Sequence, residues 1–240
     1  MDERLWEPVF EDGAILVVAK AAGLAVQSRS LLEKDLESLL RAEGRGHQNY
    51  HLIHRLDQPV EGLLVVAKTA AAAAGLNRQL TADGFAKEYV AVTGGGQWKQ
   101  PEGTLVDYLE KQAKGNCSVV VPQIGDKGRG KRAELSYRVE AADAVAGRSL
   151  VFVRLATGRH HQIRVQLAAA GHPLVGDGKY GNEGSRQQGL ALCAWRLRFC
   201  HPLNHRPMTF TYLPKQPVFA PYLQQIQQAI ADTDGRLTDV

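Results

Sequence analysis

His54-Arg55-Leu56-Asp57-Gln58-Pro59-Val60-Glu61-Gly62-Leu63-Leu64-Val65-Val66-Ala67-Lys68 is the stretch whose reading decides the fold. Leu63 to Ala67 contains no polar residue, so it reads as a strand covered on both faces inside a sheet. Such a strand holds the loop before it rigidly, and chemistry is commonly carried on loops held in that way. Arg55 and Asp57 stand two apart, so on an extended backbone they share a face. A carboxylate mounted before a Pro-containing turn and a glycine is a candidate reactive group. The same Arg-x-Asp spacing is also that of a structural ion pair.

Composition bounds what surrounds this stretch. The chain has 240 residues, 44% of them hydrophobic, which suffices for a buried core and argues against disorder. A net charge of +4 and a pI near 9.0 favour an anionic partner. Cys117, Cys193 and Cys200 show no C-x-x-C spacing, so neither a disulfide framework nor a zinc ribbon is expected, and a reducing cytoplasm fits. Asp2, Glu3 and Arg4 stand where a signal peptide needs a basic and then an apolar segment, and no uncharged run is long enough to span a membrane. His51 with His54, and His160 with His161, have no acidic residue completing a zinc-protease pattern, so no metal site is expected.

Working outward, Ala14–Ala19 reads as a buried strand, followed by the turn Lys20-Ala21-Ala22-Gly23-Leu24. Ser30 and Glu33 have capping-box spacing ahead of Leu32, Leu36, Leu39 and Leu40, which gives a helix from about Leu31 to Ala42. Ala70–Ala82 is a second helix, stopped at Asp83-Gly84. Lys87–Val92 alternates as a strand does, and Thr104–Leu109, Ser118–Val121, Ala133–Val139, Leu150–Leu155 and Met208–Leu213 add further short strands. Their repetition argues for a largely antiparallel sheet. Pro217–Ile230 reads as a terminal helix, with Ala231–Val240 fraying. Between the strands, Asp126-Lys127-Gly128-Arg129-Gly130-Lys131-Arg132 is a basic loop. Arg132 stands where a nucleotide-binding P-loop needs Ser or Thr for magnesium, so that reading is rejected. A phosphate-contacting RNA loop and a solvated charged turn both remain open.

These motifs carry a family resemblance. His54-Arg55-Leu56-Asp57, with Gly62 and Ala67-Lys68, resembles the signature of the RluA-type pseudouridine synthases, although Val60-Glu61 replaces the frequent Thr-Ser. Lys20-Ala21-Ala22-Gly23-Leu24 resembles the K-P-A-G-L that opens their catalytic domain, with Ala21 in place of Pro, and Lys87-Glu88-Tyr89-Val90-Ala91 resembles K-x-Y-x-A. Thr157-Gly158-Arg159-His160-His161-Gln162-Ile163-Arg164-Val165-Gln166 and Gly171-His172-Pro173-Leu174-Val175-Gly176-Asp177-Gly178-Lys179-Tyr180-Gly181 continue the pattern, with Gln166 where His is common.

The resemblance implies an α+β fold, with a central, mainly antiparallel mixed sheet flanked by helices. It implies one catalytic domain over residues 1–240 with a core at about 9–213, and no S4-type RNA-binding domain ahead of it. It implies Asp57 as the catalytic carboxylate, Arg164 as the cation that keeps Asp57 charged, and Tyr89 as the residue stacking on uracil. Arg55 would enter the RNA stack when the uridine leaves, and Leu56 and Ile163 would line the base pocket. Arg159 would contact phosphate or brace its loop, and Lys127, Arg129, Lys131 and Arg132 would be RNA contacts if the basic loop meets phosphate. The implied reaction is cofactor-free isomerisation of uridine in structured RNA by a cytoplasmic monomer, with ribosomal RNA ranked ahead of transfer RNA. The competing expectation from another class is a non-catalytic RNA-binding or ribosome-assembly factor on the same fold, in which Asp57 is structural.

Overall fold

The computed structural model describes residues 4–28, 33–42, 50–82, 84–123, 130–181 and 189–235. In chain order the elements are β1 (Trp6–Glu11), β2 (Ile15–Lys20), α1 (Leu36–Ala42), β3 (His51–Leu52), β4 (Glu61–Ala67), α2 (Ala70–Thr81), β5 (Ala86–Thr93), β6 (Glu102–Lys111), β7 (Ser118–Val121), β8 (Lys131–Asp143), β9 (Arg148–Leu155), α3 (Gln162–Ala169), β10 (Leu192–Cys200), β11 (Pro207–Thr211) and α4 (Leu223–Gly235). The sheet pairing is mixed and mostly antiparallel, as the α+β expectation requires. The chain divides into two compact units, one comprising residues 1–87 and 193–214, the other 88–192 and 215–240.

In the first unit the strand order is β1-β2-β4-β10, with β3 paired to β4 and β11 to β10. Every residue of β2 and β4 is buried, as their apolar runs require. Strand β4 runs antiparallel to β2, Lys20 facing Gly62, and parallel to β10. Gly62 has φ +121°, and a Cβ there would stand 2.3 Å from the Ala194 carbonyl oxygen, so only glycine lets these two strands meet. Helix α2 begins where Thr69 Oγ1 accepts the Ala72 N–H at 3.1 Å. Its Ala72, Ala73 and Leu76 pack with Ile15, Val17, Leu63, Val65, Phe85, Leu197 and Phe199 into the core of this unit.

In the second unit the order is β5-β9-β8-β6-β7, antiparallel throughout. Val165 of α3 packs on Leu109 and Ala133, with Tyr180 at the margin. Pro217–Tyr222 forms a 3-10 turn that buries Val218, Phe219 and Tyr222 ahead of α4.

Several boundaries differ from the sequence expectation. Helix α1 starts at Leu36, not near Leu31, because Asp35 is its cap: Oδ1 accepts the Ser38 N–H at 2.7 Å, and the Ser38 hydroxyl accepts the Asp35 N–H at 3.1 Å. The Ser30–Leu32 part of the expected helix lies outside the described residues. Helix α4 continues to Gly235, five residues beyond the expected end. Lys131 and Arg132 belong to β8, opposite Leu109 and Tyr108, rather than to a loop. Lys127 and Arg129 lie outside the described residues.

Candidate active site

In the first unit, Asp57 lies between β3 and β4, half-buried, with Leu56 buried beside it and Arg55 exposed. The Val60 N–H donates to the Asp57 carbonyl at 3.0 Å, closing the turn that leads into β4. This turn is tied to the Lys20–Leu24 turn. The Gly23 N–H donates to the Gln58 carbonyl at 2.9 Å, and Gln58 Nε2 returns a bond to the Gly23 carbonyl at 3.1 Å.

Lys20 sits under both turns and is fully buried. Its Nζ donates to the carbonyls of Ala21 at 2.9 Å, Leu24 at 2.7 Å and Gln58 at 3.2 Å. Burial drives its pKa down to about 7, against the pull of the Asp57 and Glu61 charges. An ammonium with its three N–H donors matched to three carbonyls is a brace for the Asp57 turn as well as a nearby positive charge. Ala21 adds a bond that proline could not make, its N–H donating to the Leu5 carbonyl at 2.9 Å. His54 Nε2 accepts the Val65 N–H at 3.4 Å, and burial followed by the Lys87 charge pushes its pKa down to about 3.

In the second unit, Tyr89 is buried on β5 opposite Val153 of β9. Arg164 occupies the first turn of α3, 4% exposed, and forms a two-pronged pair with Asp177, 1% exposed. Nε donates to Oδ2 at 2.8 Å and Nη2 to Oδ1 at 2.7 Å. Burial pushes the Asp177 carboxyl upward, but the Arg164 bonds and charge and the N–H groups of Lys179 and Tyr180 outweigh it, leaving it below the ordinary carboxylate range. Ile163 is buried next to Arg164. Arg159 is exposed and its Nε donates to the Arg132 carbonyl at 2.8 Å. Arg132 pairs with Glu134.

Gln166 is 1% exposed, and its Nε2 donates to Asp107 Oδ2 at 2.7 Å. A groove of about 550 Å³ on this sheet is lined by Glu88, Ser136, Arg138, Phe152 and Arg154, and by none of Asp57, Tyr89 or Arg164. Among the described residues no group of three or more His, Cys, Asp or Glu side chains could hold a metal ion. Nor is any described helix long and apolar enough to cross a membrane.

His161, ahead of α3, has φ 54° and is 7% exposed. The Ser118 N–H donates to the Tyr180 hydroxyl oxygen at 2.7 Å, and that hydroxyl lies 2.7 Å from His161 Nδ1. Burial raises the Tyr180 pKa to about 12, so the hydroxyl keeps its proton. Burial, then the Arg164 and His160 charges, push the His161 pKa down to about 3. The unfolded chain therefore takes up this proton first, near pH 6.5. The stability His161 contributes is complete above that value and is lost as pH falls toward 3, at a slope of about 1.4 kcal/mol per pH unit for one proton. Chemical denaturation between pH 7 and pH 4.5 is expected to show a slope smaller by one proton in His161→Gln than in the wild type, where His54 adds a term of the same sign. Equal slopes would contradict it.

Lys20, Asp177, Tyr180 and His161 were given no functional role by the sequence reading. The signal was present, since all four stand inside motifs quoted for the resemblance.

The family model described as RNA pseudouridylate synthase matches residues 14–169. Ribosomal large subunit pseudouridine synthase C of Haemophilus influenzae is 32% identical over 209 residues, covering 84% of this chain and 63% of that protein. An uncharacterized RNA pseudouridine synthase of Mycoplasma genitalium is 31% identical over 232 residues, covering 94% of this chain and 72% of that protein. The solved structure of human RNA Pseudouridylate Synthase Domain Containing 1 superposes with a TM-score of 0.71 at 24% identity, over 92% of this chain and 87% of that one, a likeness of fold. The chain thus spans under two thirds of the length of the Haemophilus relative. With the motif residues in the loop before β4 and at the start of α3, and with a family model matched over more than half its length, the chain belongs to the RNA pseudouridylate synthase family, of the RluA type.

Proposed function

We propose that this chain isomerises uridine to pseudouridine in RNA, with Asp57 as its catalytic carboxylate and ribosomal RNA as its substrate. The observation that carries the reading is the mounting of Asp57: a half-buried carboxylate, in the family's motif, on a turn whose carbonyl is held by the buried Lys20 ammonium. The reaction detaches uracil from its ribose, turns it and rejoins it through carbon, so it consumes no water and changes no oxidation state. It requires an ionised carboxylate in a dry pocket, to attack the nucleoside or to stabilise charge as the base departs. Lys20, when protonated, supplies a positive charge to that carboxylate, and Arg164 is assigned as its second cation.

Tyr89 joins a ring that can stack on uracil to a hydroxyl that can assist proton removal at the new carbon bond. Leu56 and Ile163 line the base pocket in this scheme. Lys131 and Arg132, exposed at the start of β8, and Lys127 and Arg129 ahead of it take phosphate. Ribosomal RNA is ranked first because the Haemophilus relative is named for the large ribosomal subunit. The work would then be done in the cytoplasm.

Arg55, exposed beside Asp57, is assigned to the space a uridine vacates, where a flat cation can stack. Its substitution should therefore slow reaction on a folded stem-loop by about tenfold per 1.4 kcal/mol of unstacking left uncompensated. Single-turnover rates of Arg55→Ala on that substrate and on an unstructured oligonucleotide test this: equal losses on both would remove the role.

Pseudouridine mapping of total RNA from cells with and without the protein tests the function itself. One or more ribosomal sites should vanish with the protein. Loss confined to transfer RNA would overturn the substrate, and unchanged maps would leave the non-catalytic RNA-binding factor as the better reading.

A further inference from the structure

We propose that Asp177 and Tyr180 are positioning residues, which hold the Arg164 guanidinium in one orientation at the start of α3 so that it serves the isomerisation. The proposal rests on the assignment of Arg164 to that reaction.

An arginine side chain ends in a long rotatable stem, and burial alone does not select one direction for its fork. Asp177 does. By taking Nε at 2.8 Å and Nη2 at 2.7 Å it fixes both the plane and the in-plane rotation of the guanidinium. The carboxylate is itself held, because Oδ1 also accepts the N–H groups of Lys179 at 2.9 Å and Tyr180 at 3.2 Å. A second restraint comes from the Tyr180 ring, whose centre lies 5.2 Å from the guanidinium carbon. That ring is pinned at its far end, where the hydroxyl accepts from the Ser118 N–H at 2.7 Å and is hydrogen-bonded to His161 Nδ1 at 2.7 Å. His161 in turn stacks on His160 with ring centroids 3.8 Å apart, and His160 Nδ1 lies 2.9 Å from Ser118 Oγ. Each group that touches the fork is therefore fixed by a group that does not.

Stability does not call for this arrangement. Taking a carboxylate and a guanidinium out of water costs several kcal/mol per ion, and an apolar pair of the same volume is often as stable or more so. What an apolar pair cannot do is present a cation at a set angle. Orientation is worth much in catalysis, since a displacement of about 1 Å can cost a hundredfold in rate.

The test uses the full chain and an RNA that the wild type modifies, with three readouts: single-turnover rate at saturating enzyme, RNA dissociation constant, and unfolding midpoint. Asp177→Glu keeps the charge and moves it by one methylene. It should slow the reaction at least tenfold while RNA affinity changes less than threefold. Tyr180→Phe keeps the ring, loses the Ser118 and His161 anchors, and should slow it about threefold to tenfold. Because lysine has no fork to orient, Asp177→Glu in an Arg164→Lys background should cost less than twofold further. Rates of folded Asp177→Glu and Tyr180→Phe within twofold of wild type would overturn the proposal, as would an undiminished loss in the Arg164→Lys background. A wild type that makes no pseudouridine would instead refute the proposed function. Arg164→Met at the wild-type rate would overturn the proposal together with the role of Arg164, and would leave the isomerisation itself standing.

Discussion

Asp57→Asn is expected to lower the single-turnover rate of pseudouridine formation by at least about a thousandfold while RNA affinity stays within about threefold of wild type. Asparagine has the size and shape of aspartate, so only the charge changes. Three bonds that shape the loop are accepted by its backbone carbonyls. Val60 N–H to the Asp57 carbonyl, and Gly23 N–H and Lys20 Nζ to the Gln58 carbonyl, all survive the substitution. A neutral amide can neither attack the nucleoside nor balance positive charge developing on the ribose. Rates compared at saturating enzyme, with the far-ultraviolet circular dichroism of both proteins superimposable, make the check. An Asn variant within tenfold of wild type would end the catalytic assignment.

Arg164→Met is expected to lower stability by about 3–5 kcal/mol, because it strands the Asp177 carboxylate in a site where 1% of the residue is exposed. The pH dependence gives a second signature. In the wild type the Asp177 pKa is depressed, so its contribution is present above the unfolded value near 3.9 and is lost as pH falls through the folded value. In the variant only the Lys179 and Tyr180 N–H groups still oppose burial, so the folded pKa rises relative to that in the wild type. The penalty then diminishes as pH falls and the carboxyl takes up a proton. Denaturation at pH 5 and pH 8 should show the gap to wild type narrowing at the lower pH. A gap below 1 kcal/mol, or one that widens on acidification, would contradict the account. Adding Asp177→Asn to Arg164→Met should restore part of the loss.

Strand β4 was legible from sequence because its burial depends only on its own residues, each of them apolar or glycine after Glu61. The same holds for α2, where the Ala-rich run and the Thr69 cap are local. Strand β1 was missed, since Pro8 and its flanking Glu7 and Glu11 weigh against a strand. The structure tolerates them because β1 lies at the end of the strand order and shifts register between Pro8 and Phe10. The start of α1 was misjudged because Ser30 and Asp35 both offer capping oxygens, and only the packing of Leu36 and Leu40 selects the second.

Within the candidate site, Asp57, Tyr89 and Arg164 were singled out because the motif names them, but their settings were not legible. The Arg164–Asp177 pair joins residues separated by 13 positions, and the Lys20 bond to the Gln58 carbonyl spans 38. Such bonds follow from strand order and register, which motif spacing does not encode. Glu61 is the sharpest instance. It stands where the family frequently has serine, yet it is 2% exposed and its charge acts on both Lys20 and Tyr212.

The most direct measurement incubates the purified chain with an unmodified large-subunit ribosomal RNA transcript and counts pseudouridine by mass spectrometry after chemical derivatisation. The account predicts at least one pseudouridine per RNA at completion with the wild type, and none above background with Asp57→Asn. A folded wild type that binds RNA and forms no pseudouridine in this transcript or in total transfer RNA would contradict it.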